Sequence, residues 1–142
     1  MLKRVVGVAM GGYASERAIS LESGNNVYQT LSSKKWEVYR LLINENQWTV
    51  LDQNNHEIIF DRSDFSFNIN GKIHRFDVIF NVVHGVPGEN GELAATLKSQ
   101  NIPQTSCDSF AAELTFDKRK CLELVKKTGV SAAESFAFDR GN

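Results

Sequence analysis

The chain has 142 residues and a mass of 15.9 kDa, with 42% hydrophobic and 23% charged residues. That is the size and composition of one ordinary globular domain, and it excludes wholesale disorder. Lys+Arg 16 against Asp+Glu 17 leaves a net charge of -1, which argues against a nucleic-acid binder, and no apolar run approaches the ~20 residues that span a bilayer.

The first element is Val5-Val6-Gly7-Val8-Ala9-Met10, a short apolar run of the kind buried on both faces in parallel sheets, ending at Gly11-Gly12. From Ser15 to Leu31 the residues Ile19, Val27 and Leu31 fall at multiples of four, with small Ser23 in the gap. This predicts a helix with one apolar face, capped by Ser15 and carrying Glu16 in its first turn. Trp36 to Ile43 returns to strand character, which completes a βαβ unit.

From Asn44 to Phe76 no helical period survives. Short β-rich pieces at 48–51, 57–60, 65–69 and 72–76 alternate with turn signals, and Asn70-Gly71 is a type I′ hairpin signal. Phe65, Phe67 and Ile69 alternate with polar residues, so one face of this hairpin is expected to be wet. The region reads as a small antiparallel meander inserted between βα units. Asp77 to Val83 is again a buried-type strand, ending at His84-Gly85 and followed by the loop Val86-Pro87-Gly88-Glu89-Asn90-Gly91. Helices are predicted over 92–100, from a cap at Asp108 to Leu114, and from Thr115 or Phe116 to Thr128 with Gly129 as the C′ residue. A strand is expected around Ser135 to Phe138. The whole predicts an α/β, Rossmann-like, largely parallel sheet with helices on both faces and the meander as an insertion.

If the two glycine-ended strands are parallel, their loops open on one edge of the sheet, where ligands of open α/β sheets bind. That places Ser15, Glu16 and Arg17 across from His84 and Glu89. Gly11-Gly12-Tyr13-Ala14-Ser15-Glu16 is neither GxGxxG nor a P-loop, which disfavours a nucleotide-dependent oxidoreductase. Glu16 is placed to hold an ammonium, and Glu89 is placed to orient His84. His56 and His74 read as surface residues, and Cys107 and Cys121 as small core residues. No group has metal-ligand spacing. Two cysteines are too few for a disulfide framework, and Met1-Leu2-Lys3-Arg4 opens no secretory leader, so a cytoplasmic location is expected. Asp117-Lys118-Arg119-Lys120 reads as a solvated helix face, with one lysine available as a point charge for phosphate.

The segment from Gly11 to Gly24 resembles the N-terminal signature of D-alanine–D-alanine ligases. His84-Gly85-Val86-Pro87-Gly88-Glu89-Asn90-Gly91 is similar to that family's HG-x-x-GEDG loop, and Asp117-Lys118 ahead of Gly129-Val130 resembles a third element. The order and spacing match over essentially the whole chain. Asn90, Ala95, Ser131 and Ala133 depart from the family's common Asp, Gln and prolines.

The resemblance implies an ATP-grasp ligase that joins two D-alanines through an acyl phosphate for peptidoglycan synthesis, with ATP and Mg²⁺ (or Mn²⁺) held mainly by a C-terminal region this chain lacks. It implies that Glu16 binds the ammonium of the first D-alanine, that Ile19 packs near the substrate methyl, that His84 supported by Glu89 bonds around that substrate, and that Lys118 approaches the nucleotide. It also implies residues 1–130 as a pre-ATP-grasp substrate domain, 131–142 as the start of a linker or first ATP-grasp strand, a homodimer as the assembly, and no turnover by this chain alone. A D-alanine–D-lactate ligase, whose specificity lies largely outside this chain, and a non-catalytic dimerisation or binding module are the alternatives.

Overall fold

A computed structural model describes residues 3–31, 35–136 and 138. Its central strand is β1 (Arg4–Gly11), flanked by parallel β2 (Trp36–Ile43) on one side and parallel β7 (Val78–Asn81) on the other. Beyond β2 the sheet continues through β3 (Trp48–Leu51), β4 (Glu57–Asp61), β5 (Ser66–Ile69) and β6 (Lys72–Arg75), each antiparallel to its neighbour. The strand order is β6-β5-β4-β3-β2-β1-β7. The expected largely parallel sheet is therefore corrected to a mixed one: among the described residues, parallel pairing is confined to β2-β1-β7 and a bridge from Ile79 to Gln104. The short connections from β2 to β6 force this, because a parallel neighbour needs a crossover of a dozen residues or more. The meander, inserted in the chain between β2 and β7 as expected, extends the main sheet.

Helix α1 (Arg17–Thr30) lies on the face of β1 that carries Met10, and Leu93 and Leu97 of α2 (Glu92–Ser99) join the core on the face that carries Ala9. Successive strand residues face opposite ways, so helices cover both faces. The Ala9 face runs through Leu41, Ile43, Trp48, Val50, Phe60 and Phe67 into one cluster. There Trp48 stacks on Phe60 at 6.3 Å, and Phe65 meets Phe60 edge-on at 5.2 Å. β5 begins only at Ser66, because Phe65 turns inward through a left-handed backbone, φ 57. Asn70 and Gly71 hold the predicted I′ turn, with φ 52 and 82.

Several local expectations are corrected. α1 starts at Arg17 with Glu16 as its N-cap residue and without a side-chain cap, and its buried positions are Ser20 and Gly24. Its buried face is thus rotated by about one residue from the Ile19 stripe, and Ile19 is exposed. Small residues win that face because the helix sits so close to the sheet that a Cβ on Gly24 would meet Met10 at 2.5 Å. His74 is buried, stacked on Phe67 and 3.3 Å from Glu37. The hairpin carrying it folds back over β2, where Tyr39 meets Phe67 edge-on. Cys107 is exposed and Cys121 half-buried.

α3 (Ser109–Phe116) is capped by Asp108, and α4 (Lys118–Lys127) starts afresh at an Asp117 cap, so the longer helix begins later than expected. Gly129 takes the predicted left-handed C′ conformation at φ 81. Residues 131–136 and 138 are irregular, not a strand, while Ala137 and residues 139–142 of the expected linker lie outside the described residues.

Candidate functional site

The β1–α1 loop and the β7–α2 loop lie side by side at the carboxyl ends of their strands, because both strands are parallel in one sheet. Gly12 donates its N–H to the Ile43 carbonyl at 2.8 Å, and Tyr13 donates its N–H to the Val86 carbonyl at 3.0 Å. The contact demands glycine: a Cβ on Gly12 would meet the Val86 carbonyl at 2.7 Å, and its φ of 85 suits no other residue well. Across the gap, a Cβ on Gly85 would meet Ala14 at 2.6 Å and a Glu16 carboxylate oxygen at 3.2 Å. The Glu16 carboxylate therefore lies directly over Gly85.

Glu89 folds back on its own loop. Its Oε2 accepts from the Gly85 N–H at 2.9 Å, and its N–H donates to the Gly85 carbonyl at 2.7 Å. Among the described residues no hydrogen bond joins Glu89 to the His84 ring, so the carboxylate shapes the glycine turn and not the imidazole. Glu16, Glu89 and Lys118 come together with Cys107, Thr115 and Phe116 around a cleft of 470 Å³. Neither Ile19, exposed on α1, nor half-buried His84 lines it. A cleft of 570 Å³ between Lys3, Tyr28 and Trp36 lies at the opposite end of the parallel strands, away from both glycine loops.

Two carboxylates and one ammonium at a strand-end cleft suit a small zwitterion. The fit to a nucleotide is slighter. Lys118 offers one cationic charge, but the backbone N–H groups of Arg119 and Lys120 beside it already donate to Asp117 Oδ1 at 3.0 and 3.1 Å, so the start of α4 is no open phosphate cradle. For a metal ion the residues do not fit: among the described residues no three His, Cys, Asp or Glu side chains converge.

Sequence reasoning did not single out Tyr13 and Glu92 as a pair. The Tyr13 hydroxyl donates to Glu92 Oε2 at 2.6 Å, tying one loop to the start of α2. Glu92 is held in turn by Asn90, whose amide donates to Glu92 Oε1 at 2.9 Å. Partial burial, and then the Glu92 carboxylate as acceptor and nearby charge, push the Tyr13 phenol up to about 12. No local signal announces the pair, since its members are 79 positions apart.

Residues 5–107 match the family model described as the D-ala D-ala ligase N-terminus. The chain belongs to the D-alanine–D-alanine ligase family. It is 42% identical over 137 residues to a D-alanine–D-alanine ligase of Flavobacterium johnsoniae, covering 96% of this chain and 42% of that protein. In fold it is similar to the D-alanine–D-alanine ligase of Coxiella burnetii, with TM-score 0.81 at 21% identity over 93% of this chain and 43% of that one. It is also similar to a Bacillus anthracis D-alanine–D-alanine ligase complexed with ATP, with TM-score 0.71 at 22% identity, covering 94% and 38%. The chain thus spans less than half the length of the curated relatives it matches, and the match is to the family's N-terminal part.

Proposed function

We propose that this chain forms the substrate-side wall of an ATP-dependent D-alanine–D-alanine ligase. The observation that carries the reading is the Glu16 carboxylate, held over Gly85 at the mouth of a cleft shared with Glu89 and Lys118. In this reading Glu16 takes the ammonium of the first D-alanine, a charge-assisted contact that fixes the substrate's orientation. Glu89 keeps the Gly85 turn closed enough to back that contact, while His84 and Ile19, which do not line the cleft, are assigned to the substrate only by the family resemblance. Bound ATP supplies the phosphoryl group that activates the substrate carboxylate, and Lys118 faces its charge. The remaining nucleotide contacts and the metal carboxylates belong to the part of the relatives that this chain does not match, so residues 1–130 act as a substrate domain, with 131–142 leading toward that part.

Glu16→Gln in the full-length ligase keeps the shape and removes the charge. We expect kcat/KM for the first D-alanine to fall by about 100-fold, the order that misplaced substrates cost, and near-normal steady-state kinetics would refute the assignment. The same reading includes a cytoplasmic location, no turnover by the chain alone and a homodimeric assembly.

A further inference from the structure

The parallel ladder between β1 and β7 stops one rung early, and a side chain fills the gap. The last paired residues are Ala9 and Asn81, and the Val82 N–H still donates to the Ala9 carbonyl at 2.9 Å. In a regular parallel ladder the next bond runs from the Gly11 N–H to the Val82 carbonyl. Here the hydroxyl of Ser20 stands between them. Its Oγ accepts from the Gly11 N–H at 2.9 Å and donates to the Val82 carbonyl at 2.7 Å. Ser20 is fully buried, with no exposed surface, so both bonds are shielded from water.

One rung is thus replaced by two bonds in series, and the strands are held apart just before the two glycine loops, which meet again at the Tyr13 N–H to Val86 carbonyl bond. Ser20 is also one turn after Glu16 on α1, and its N–H donates to the Glu16 carbonyl at 3.0 Å. The same residue sets the spacing of the strand ends and the height of the helix start above them.

We infer that Ser20 is a positioning residue that wedges β1 from β7 and so sets the distance between the Glu16 carboxylate and the Gly85 turn that faces it. The inference rests on the reading of Glu16 as the ammonium-binding group. Removing the hydroxyl leaves the Gly11 N–H and the Val82 carbonyl without a partner unless they close on each other, and closure moves both loops.

The test is steady-state kinetics of the full-length ligase. Ser20→Ala is expected to raise KM for the first D-alanine about tenfold, with a smaller change in kcat per folded enzyme and an unchanged KM for ATP. A general loss of structure lowers the folded fraction and the melting temperature without moving KM, so an unchanged KM overturns the inference whatever happens to stability. If Ser20→Ala yields no folded enzyme, Ser20→Cys fills the gap with a weaker hydrogen-bonding atom; a raised KM is expected there, and a wild-type KM overturns the inference.

Adding Ser20→Ala to Glu16→Gln is expected to cost less than threefold more in kcat/KM, because the charge to be positioned is gone. A further tenfold loss in that background overturns the coupling. Normal kinetics of Glu16→Gln alone would refute the ammonium reading, whereas an impaired Glu16→Gln beside a Ser20→Ala enzyme of normal KM refutes only the wedge.

Discussion

Single atoms decide the geometry around Glu16. Gly24 lets α1 lie against Met10, and Gly24→Ala places a methyl 2.5 Å from the Met10 Cβ. Overpacking of this kind costs about 1–3 kcal/mol, while alanine recovers up to about 1 kcal/mol of helix propensity, so a net loss of stability is expected in urea unfolding of the full-length protein. A Gly24→Ala variant as stable as the parent would show that the helix can lift away at no cost. Tyr13 makes a pH-dependent contribution. Its phenol is raised from 10.0 to about 12, so the folded state holds its proton more tightly than the unfolded chain. That stabilisation is complete below pH 10 and is lost as the pH rises through about 12. Tyr13→Phe should remove one late phenolate from an ultraviolet titration of the folded protein, and an unchanged late phase would assign it elsewhere.

At the scale of elements, caps and turns follow their local chemistry. Asp108 accepts from the Ala111 N–H at 2.8 Å, and Asp117 caps α4 through the N–H groups of Arg119 and Lys120. The same Asp117 blocks the helix start as a phosphate site. Asp117→Ala is expected to cost about 0.5–2 kcal/mol and to fray the first turn of α4, read as faster amide exchange at Arg119 and Lys120. Protection equal to the parent's would show that another group caps the helix. The strand read over Asp77–Val83 shortens to Val78–Asn81 because the Ser20 hydroxyl enters the ladder at Val82, an interruption that a run of apolar residues does not reveal.

Over the whole molecule α1 packs on the parallel part of the sheet, against β1 and β2, and the meander extends beyond it. On the meander Ile59 and Ile73 are 84% and 65% exposed; Ile73 pairs with Asn68 of β5, and Ile59 pairs with Thr49 of β3. Isolated exposed isoleucines are ordinary on a surface, and these two lie on β4 and β6 with β5 between them, so the homodimer proposed above is tested on them rather than read from them. Sedimentation of the full-length protein is expected to give a dimer that Ile59→Lys with Ile73→Lys shifts toward monomer, and an unchanged dimer would place the interface elsewhere.

The sequence by itself determined the order of elements as far as Gly129, the Asn70-Gly71 turn, the Asp108 cap, the Gly129 stop and the two glycine loops, because each depends on residues within a few positions of one another. It also carried the family signature around Glu16 and Glu89. Only the tertiary structure decided which face α1 buries, since the closeness of Met10 favours Ser20 and Gly24 over the more apolar Ile19 stripe. It decided that the meander extends the main sheet, that His74 lies inside and Cys107 outside, and that Glu89 bonds the Gly85 backbone and not His84. These are properties of pairs distant in sequence, whose partners are chosen when the sheet curls and the helices settle on it, and no local period encodes that choice.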